Sequence, residues 1–426
     1  KSFQNKEKFL AKLYVNRKLL LKQLVVYLVS LFKHPRFLII NALWTRQSIQ
    51  SMFLKSKGSA KVDFYQYIPK INDEAPNNVS REILAEIPNG SNNFDKFFFS
   101  SLKNAAPKSL IENFKTRKEH ANNFLNKYRK IDSLIVEGQD EDTLLLVALS
   151  KSKNIKTIMI EHNWLQHHLL GNQIWYYLRK VDKFFSLGWI DKSQDKIYPW
   201  GSLFPWSRFP ESGLVKDIDI LYISTCPHSR MAFSTGGDGD KGSYNAKTYT
   251  DMKSVFFNNL SYETCKSIYF KAYPEWRKAK LSPHYQDNIF QEEYSDKFRT
   301  YDSIGDIDTK DLINRSKLII VDYLATAYLQ ALASNIPTIV LYNRKGYELT
   351  NEHAHIYDEL FEAKVFHEDP ITAAKFIEKI KDKPEAWWRN QEVRDAVSNF
   401  SRNFLSKSAD LESDLLNMIK KNQYES

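Results

Sequence analysis

Acidic and imidazole side chains gather in two short stretches of the sequence, and both could carry acid/base or metal chemistry. The first reads GQDED, residues 138–142, and the second reads EHNWLQHH, residues 161–168. Two neighbouring carboxyl groups tend to separate their pKa values, so that one serves as an acid and the other as a base or nucleophile. The predicted catalytic residues are Asp140, Glu141, Glu161 and His162.

The histidine-rich stretch does not have the spacing of a zinc site. Zinc needs ligands that converge, such as two histidines four residues apart on a helix. Here the gaps between successive histidines are five and one residues. We therefore predict no metal. Two interpretations of Glu161 and His162 stay open: contacts with a reacting substrate, or hydrogen bonds that only stabilise their own loop.

The acidic stretch also has a structural interpretation. Acidic side chains at the start of a helix cap free N–H groups and interact favourably with the helix dipole. Capping alone would account for Asp142 and in part for Glu141. Asp140 would lie in the tight turn before the helix, close to Glu161 on the neighbouring strand, where a catalytic role is expected.

A second group of polar residues follows the apolar runs of the later half. The segment from Leu318 to Ala327 reads as a strand, a turn and a helix start, and the first N–H groups of a helix bind anions. Cationic and hydroxyl side chains that converge there suit a phosphate or diphosphate, although a bare helix cap is the alternative. The predicted nucleotide-binding residues are Thr225, His228, Ser229, Arg230, Lys271, Tyr273, Asp322, Tyr323 and Thr326.

These residues need a sheet to position them, because open α/β sheets bind ligands beyond the carboxyl ends of their strands. Apolar runs predict seven strands at 133–137, 157–160, 183–186, 218–224, 267–272, 318–321 and 338–342. Helical patterns are predicted at 142–151, 252–264, 326–334 and 373–381. Roughly the first 105 residues read as helices and loops. The alternation predicts an α/β protein with two doubly wound units in series.

Length and composition agree with two domains in a reducing compartment. The chain has 426 residues, and proline and glycine cluster near a break at Tyr198 to Lys216. Two cysteines are too few for a disulfide framework, so the cytoplasm is the expected location. The formal net charge of +10 favours anionic partners, but no nucleic-acid-binding signature is present. The apolar stretch from Leu19 to Phe32 is either a helix lying on an anionic inner-membrane surface or a helix buried in its own domain.

The block LINRSKLIIVDYLATAYLQALASNIPTIVLY, residues 312–342, resembles the donor-nucleotide half of GT-B glycosyltransferase-like enzymes that build bacterial surface polymers, including CDP-glycerol polymerases. A closer resemblance, from Pro107 to Trp388, is to bacterial surface-carbohydrate transferases related to the 3-deoxy-manno-octulosonate (Kdo) transferases. The motifs that carry it are PKSLIENF, the acidic turn, EHNW, FFSLGW, DY..T and PEAWWRNQEV.

This resemblance implies a GT-B fold, in which two Rossmann-like domains face each other across a cleft. Residues 1–205 would form the acceptor-side domain with a helical N-terminal extension, and residues 206–384 the nucleotide-sugar domain. Residues 385–426 would be helices that cross back to the first domain. The implied reaction is metal-independent and needs no cofactor beyond its nucleotide-sugar donor.

The implied donor is CMP-linked Kdo or another ulosonic acid, and the implied acceptor is a glycan or lipid-linked glycan of polysaccharide and cell-envelope biosynthesis. Asp140, Glu141, Glu161 and His162 would face the reacting sugar. Lys271, Tyr323 and Thr326 would hold the nucleotide. The sequence departs from the family at two places, since Tyr273-Pro274 replaces a His-Pro pair and Glu161-His162-Asn163 replaces Gln-His-Gly. Two alternatives stay open: transfer of a CDP-linked polyol phosphate, and sugar-nucleotide binding without catalysis.

Overall fold

The structure of the protein is a computed structural model. It describes residues 34–42, 44, 46–66, 78–86, 92–128, 130–137, 140–161, 174–191, 193–201, 215–224, 243–272, 293–302, 307–324, 326–342, 349–405 and 410–421.

Six strands of the first half form one sheet. They are β1 (Phe37–Ile40), β2 (Ala60–Asp63), β3 (Ser133–Val136), β4 (Lys156–Ile160), β5 (Lys183–Ser186) and β6 (Ile197–Pro199). Their order across the sheet is β2-β1-β3-β4-β5-β6, and the pairs β1–β2, β1–β3, β3–β4 and β5–β6 are parallel. All four residues of β1 and of β3 are buried, as expected for strands covered on both faces.

Helices connect these strands. They are α1 (Arg46–Lys55), α2 (Asn78–Leu84), α3 (Asn93–Ala105), α4 (Phe114–Asn126), α5 (Glu141–Ser152) and α6 (Ile174–Leu178). The start of α3 is a capping box, in which the Asn92 side chain accepts from the Asp95 N–H and the Asp95 side chain accepts from the Asn92 N–H. Such reciprocal bonds satisfy donors that have no partner within the helix.

The second half contains another sheet of six strands. They are β7 (Ile218–Ile223), β8 (Ile268–Lys271), β9 (Thr300–Asp302), β10 (Ser316–Val321), β11 (Thr338–Leu341) and β12 (Phe366–His367). Their order is β12-β11-β10-β7-β8-β9, and all five neighbouring pairs are parallel. Counted along the chain, this is the Rossmann order 3-2-1-4-5-6, which reverses between β7 and β10.

The helices of the second half are α7 (Ser243–Asn258), α8 (Tyr262–Ser267), α9 (Thr309–Arg315), α10 (Thr326–Ala333), α11 (Asn351–Glu362), α12 (Pro370–Ile380), α13 (Pro384–Trp388), α14 (Gln391–Phe404) and α15 (Leu411–Lys421), with a short 3₁₀ turn at Ser295–Lys297. The α15 helix buries Leu411, Leu415, Leu416 and Ile419. Its first carbonyl, that of Leu411, accepts a hydrogen bond from Nε1 of Trp200 at 3.0 Å.

The chain divides into two compact units. One comprises the described residues of Lys1–Ile160 and Lys180–Lys183, and the other those of Glu161–Arg179 and Phe184–Ser426. In the second unit, aromatic rings fill the space between α7 and its sheet. Tyr222 of β7 stacks on Phe270 of β8 with ring centroids 5.2 Å apart, and the ring centroid of Phe257 on α7 lies 4.9 Å from that of Tyr222. This packing holds β7, β8 and α7 in fixed relation, which positions the residues at the carboxyl ends of the strands.

The predicted α/β class and the seven predicted strands are confirmed, with strand ends within two residues of those expected. Two predictions were wrong. Residues 1–105 contain β1 and β2 in addition to helices, because the apolar run Phe37–Ile40 is a buried strand. The predicted helix 252–264 is instead two helices, α7 and α8, since the side chain of Ser261 caps α8 by accepting from the Thr264 N–H and so starts a new helix.

No helix within the described part of the chain is both long enough and apolar enough to cross a membrane. The apolar stretch from Leu19 to Phe32 lies outside the described residues.

Candidate functional site

The strongest candidate site in the second unit lies where the strand order reverses. Ser224 directly follows β7, and Asp322 directly follows β10. The Ser224 hydroxyl donates to Oδ2 of Asp322 at 3.0 Å, and the Ser224 N–H donates to the carbonyl of Lys271 at 2.9 Å. The ends of β7, β8 and β10 are thus joined at the edge where doubly wound sheets bind their ligands.

Two side chains of α7 complete this group, which we call the Asp322 network and define as Ser224, Tyr249, Lys253 and Asp322. Nζ of Lys253 donates to Oγ of Ser224 at 3.2 Å and lies 4.6 Å from the centroid of the Tyr249 ring. The Tyr249 hydroxyl lies 3.1 Å from the same Oγ atom. Lys253 and Asp322 are 1% and 2% exposed, so a cation and a carboxyl group are both withdrawn from water.

Burial dominates the acidity of Asp322. It raises the pKa of this carboxyl group to about 6, although the positive charge of Lys253 and hydrogen bonds from Tyr249, Ser224 and Tyr222 act in the opposite direction. Withdrawal from water disfavours the charged form, and the nearby cation recovers only part of that cost. Asp322 therefore changes its charge close to neutral pH.

Three of the other predicted nucleotide-binding residues, Lys271, Tyr323 and Thr326, belong to the described part of the chain. Lys271 ends β8, is buried, and its Nζ lies 3.4 Å from the carbonyl oxygen of Ile307. Tyr323 is 8% exposed, and Thr326 is partly exposed as the first residue of α10. Five predicted residues lie outside the described part of the chain, namely Thr225, His228, Ser229, Arg230 and Tyr273.

Sequence reasoning missed Lys253 and Tyr249. A usable signal exists, because Tyr249, Lys253, Phe256 and Phe257 recur at the spacing of one helix face, and both phenylalanines are buried. A lysine on the apolar face of a helix needs a buried partner. Lysine on a helix is ordinarily solvent-exposed, so the pattern alone does not distinguish Lys253 from a surface lysine.

In the first sheet the strand order reverses between β1 and β3. Asn41 follows β1 with a φ of 57°, in the left-handed region that asparagine tolerates better than most residues. Its Nδ2 donates to Oγ1 of Thr143 at 3.1 Å, and its Oδ1 accepts from the N–H of Tyr65 at 2.9 Å. Asn41 thereby links the end of β1 to the first turn of α5.

Asp140 takes the capping position of α5. Its two carboxylate oxygens accept from the N–H and the hydroxyl of Thr143, each at 2.9 Å. Glu141 and Asp142 instead bind Arg117, whose Nη1 donates to Oε2 of Glu141 at 2.8 Å and whose Nη2 donates to Oδ1 of Asp142 at 2.5 Å. The capping role expected for Asp142 and Glu141 therefore belongs to Asp140, which is nevertheless exposed to solvent.

Glu161 follows β4 and is completely buried. Its Oε2 accepts from the N–H of Leu187 at 2.9 Å and from Nε1 of Trp189 at 2.7 Å. Burial raises the pKa of Glu161 to about 8, and these two donors only partly counteract it. At neutral pH the protonated form predominates, which suits a proton donor better than a base. Its neighbour His162 lies outside the described residues.

Replacing Glu161 by glutamine is expected to reduce the pH dependence of stability. The pKa of Glu161 in the folded state, about 8, lies above the ordinary value of 4.5. Its contribution to the free energy of unfolding is therefore full below pH 4.5 and is lost as pH rises to 8. The loss amounts to about 1.4 kcal/mol for each pH unit within this window. Glutamine keeps an oxygen for Leu187 and Trp189 but does not titrate. Melting curves of both proteins from about pH 5 to about pH 9 measure the difference, and parallel curves would contradict it.

Among the described residues, no group of three or more histidine, cysteine, aspartate or glutamate side chains could hold a metal ion. His167 and His168 lie outside those residues.

Three solved structures have a similar fold. The putative UDP-N-acetylglucosamine 2-epimerase from Listeria monocytogenes has a TM-score of 0.51 and 12% identity, covering 92% of this chain and 98% of that chain. S. aureus MnaA with UDP has a TM-score of 0.52 and 11% identity, covering 91% and 97%. The Methanocaldococcus jannaschii UDP-GlcNAc 2-epimerase with UDP-GlcNAc and UDP has a TM-score of 0.50 and 14% identity, covering 90% and 99%. These identities show the fold alone, which is α/β of the GT-B type with two Rossmann-like domains.

No curated protein matches the sequence. The model of one protein family does match, over residues 1–419, and that family is described as LIC12162 family transferase. Since the match extends over nearly all of the 426 residues, the chain is a transferase and belongs to the LIC12162 family.

Proposed function

We propose that the protein is a glycosyltransferase that moves a sugar from a nucleotide-activated donor to a bacterial surface glycan. The observation that carries this proposal is the Asp322 network, a buried and charged group at the reversal point of a Rossmann sheet in a chain of a transferase family. Nucleotides bind at this place in Rossmann sheets. Several proteins of similar fold were solved with UDP or UDP-GlcNAc, which supports a nucleotide sugar as the donor class.

The donor is held by residues beyond the carboxyl ends of β8 and β10. The Thr326 hydroxyl and the N–H groups in the first turn of α10 bind a phosphate, and Lys271 and Tyr323 lie at the neighbouring strand ends. The Asp322 network fixes the backbone beneath this position. Because fixed donors and cations stabilise the departing phosphate, the transfer proceeds without a metal.

Asp140 acts as the nucleophile or general base. Its carboxylate is exposed, and its hydrogen bonds to Thr143, which Asn41 also contacts, hold it in one orientation. Glu141 is engaged with Arg117, and Glu161 is mostly protonated at neutral pH, so both are weaker candidates for a base. Glu161 serves instead as a proton donor, and His162 keeps its predicted role beside the sugar.

The resemblance to Kdo transferases favours a CMP-linked ulosonic acid as the donor and a glycan or lipid-linked glycan as the acceptor. Such an acceptor places the protein in the cytoplasm at the inner face of the membrane. The expected domain limits at residues 205 and 384 stay predictions, and so does the return of residues 385–426 to the first domain.

A thermal-shift titration against CMP, CDP, UDP, GDP and ADP without added metal is the first test. A ligand that binds only the folded protein stabilises it by about 2.7 kcal/mol at a hundred times its Kd. We expect the largest rise in Tm with CMP. A preference for UDP would assign a different sugar donor, and a preference for CDP would support polyol-phosphate transfer.

Two matched variants tie that result to the proposed position. Thr326→Ala removes the hydroxyl at the start of α10 and is expected to reduce the shift. The control Thr372→Ala removes an exposed hydroxyl from the first turn of α12, which follows the edge strand β12, and is expected to leave the shift unchanged. If no nucleotide raises Tm, the donor assignment is wrong. If a nucleotide is bound but no donor sugar is turned over, the protein is a binder without catalysis.

A further inference from the structure

Helix α3 carries an exposed aromatic face, defined by Phe94, Phe97 and Phe98. These side chains are 71%, 70% and 48% exposed, and none of the 13 residues of α3 is buried. Residues three and four apart lie on the same side of a helix, so the three rings share one surface. An amphipathic helix of a globular protein normally packs its apolar side against a core. The aromatic face of α3 instead points toward solvent.

Polar contacts hold α3 in place without these rings. The buried side chain of Arg81 on α2 donates from Nε and NH2 to the two carboxylate oxygens of Glu112 at 2.7 and 3.0 Å, and from NH1 to the carbonyl of Lys103 at 2.7 Å. A second ion pair joins Lys103 to Glu82. Such a bidentate, charge-assisted pair fixes geometry as well as contributing energy. The exposed phenylalanines are therefore not required for the packing of α2 and α3.

Further apolar side chains are exposed on the adjoining elements. Val79 and Ile83, four residues apart on α2, are 73% and 61% exposed. Leu110 and Phe114, after α3, are 58% and 44% exposed. Scattered apolar residues on a surface are ordinary, but a concentration of large ones marks an interaction site.

The positive charge of residues 78–118 favours an anionic partner. Residues 78–118 contain seven lysine and arginine side chains and four aspartate and glutamate side chains. Three of the cations, Arg81, Lys103 and Arg117, are paired with carboxylates. The other four are exposed lysines, namely Lys96, Lys108, Lys115 and Lys118, and the other two acids are Glu86 and Asp95. The whole chain has a formal net charge of +10. A second copy brings the same positive charge and is repelled, whereas an anionic lipid surface attracts lysines and accepts aromatic rings among its head groups.

We propose that the aromatic face of α3 docks on an anionic lipid bilayer, with Phe94, Phe97 and Phe98 inserted at the head-group level. The exposed Lys108 follows α3, and the exposed Lys118 lies one helical turn after the exposed Phe114 on α4; these lysines bind the lipid phosphates. The attachment is peripheral, because only one side of one helix enters the interface. This proposal does not depend on the identity of the sugar donor.

Binding of the full chain to vesicles tests the proposal directly. One vesicle preparation contains roughly a quarter phosphatidylglycerol in phosphatidylcholine, and the other contains phosphatidylcholine alone. We expect the wild-type protein to sediment with the anionic vesicles. The double variant Phe94→Ser, Phe97→Ser is expected to bind them at least about tenfold more weakly, because two exposed rings no longer enter the interface. Its Tm should equal that of the wild type, since neither ring is buried.

A matched control removes two exposed aromatic rings elsewhere, Phe64 and Tyr262, which are 62% and 66% exposed. The variant Phe64→Ser, Tyr262→Ser is expected to bind as the wild type does. The variant Lys108→Gln, Lys118→Gln should bind the anionic vesicles less well than the wild type at low salt, and the difference should become small above about 0.5 M salt. The proposal is overturned if the wild type does not bind anionic vesicles. It is overturned as well if the Phe94→Ser, Phe97→Ser variant binds them as strongly as the Phe64→Ser, Tyr262→Ser control. It is also overturned if light scattering shows a dimer that the α3 variant alone dissociates.

Discussion

Replacing Asp140 by asparagine is expected to lower kcat by a factor of about 10² to 10⁴, the range typical for loss of a base or nucleophile. Stability should hardly change, because asparagine caps a helix as well as aspartate does. The amide oxygen can still accept from the N–H of Thr143, which Asp140 now contacts at 2.9 Å. The substitution thus separates the chemical role of the carboxylate from its structural role. Nucleotide release from the donor that the titration identifies is the measurement.

Asp142→Asn provides the control within the same helical turn. Asp142 binds Arg117 rather than capping the helix, and its side chain is 13% exposed. This variant is expected to lose some stability and to keep most of its turnover, which is the opposite pattern. If Asp140→Asn is as active as the wild type, Asp140 is only a helix cap and the carboxylate that reacts must be sought elsewhere.

Replacing Lys253 by methionine is expected to destabilise the protein by about 3 kcal/mol at neutral pH, because it leaves the buried carboxyl group of Asp322 without its cation. Lys253 is 1% exposed and reaches Asp322 through the Ser224 hydroxyl. The double variant Lys253→Met, Asp322→Asn removes both charges and should recover most of the loss, since the amide can still accept from Ser224. Urea denaturation of the wild type, both single variants and the double variant gives the coupling free energy.

The cost of removing Lys253 should increase with pH. The pKa of Asp322 in the folded state, about 6, lies above the ordinary value of 3.8. The contribution of this carboxyl group to the free energy of unfolding is therefore full below pH 3.8 and is lost as pH rises through 6. Lys253 limits that loss by favouring the charged form. We therefore expect a larger difference between variant and wild type at about pH 7.5 than at about pH 5. Lys379→Met, at an exposed position of α12, should change little, and an equal cost at both pH values would contradict the assigned charge.

The strands that the sequence predicts are those in the interior of the two sheets. The seven predicted strands all have neighbours on both sides, whereas the four edge strands β2, β6, β9 and β12 were missed. Edge strands are short and carry polar residues or proline, as Lys61 does in β2 and Pro199 in β6, so they show no continuous apolar run. The remaining missed strand, β1, is a four-residue apolar run that lies close to the helix-like stretch before it.

The sequence indicates which residues follow the strands, but it does not indicate which of those residues are buried or what they contact. Asp140, Glu161 and Asp322 are candidates because they follow apolar runs, and the carboxyl ends of strands meet at one edge of a sheet. Which of them is buried was not predictable, because exposure depends on residues far away in sequence, such as Trp189 for Glu161. The Asp322 network needed α7 to be placed correctly on the sheet, and no local pattern determines that placement.

The hydrogen bond between Trp200 and Leu411 joins residues 211 positions apart. During translation at ordinary elongation rates, Leu411 is made on the order of 10 to 40 seconds after Trp200, and until then the indole N–H of Trp200 lacks its native acceptor. The second unit therefore cannot finish folding before Leu411 is made. A polypeptide released before Leu411 exposes an indole and leaves the hydrophobic surface beneath α15 uncovered, which is the kind of product that cellular proteases remove.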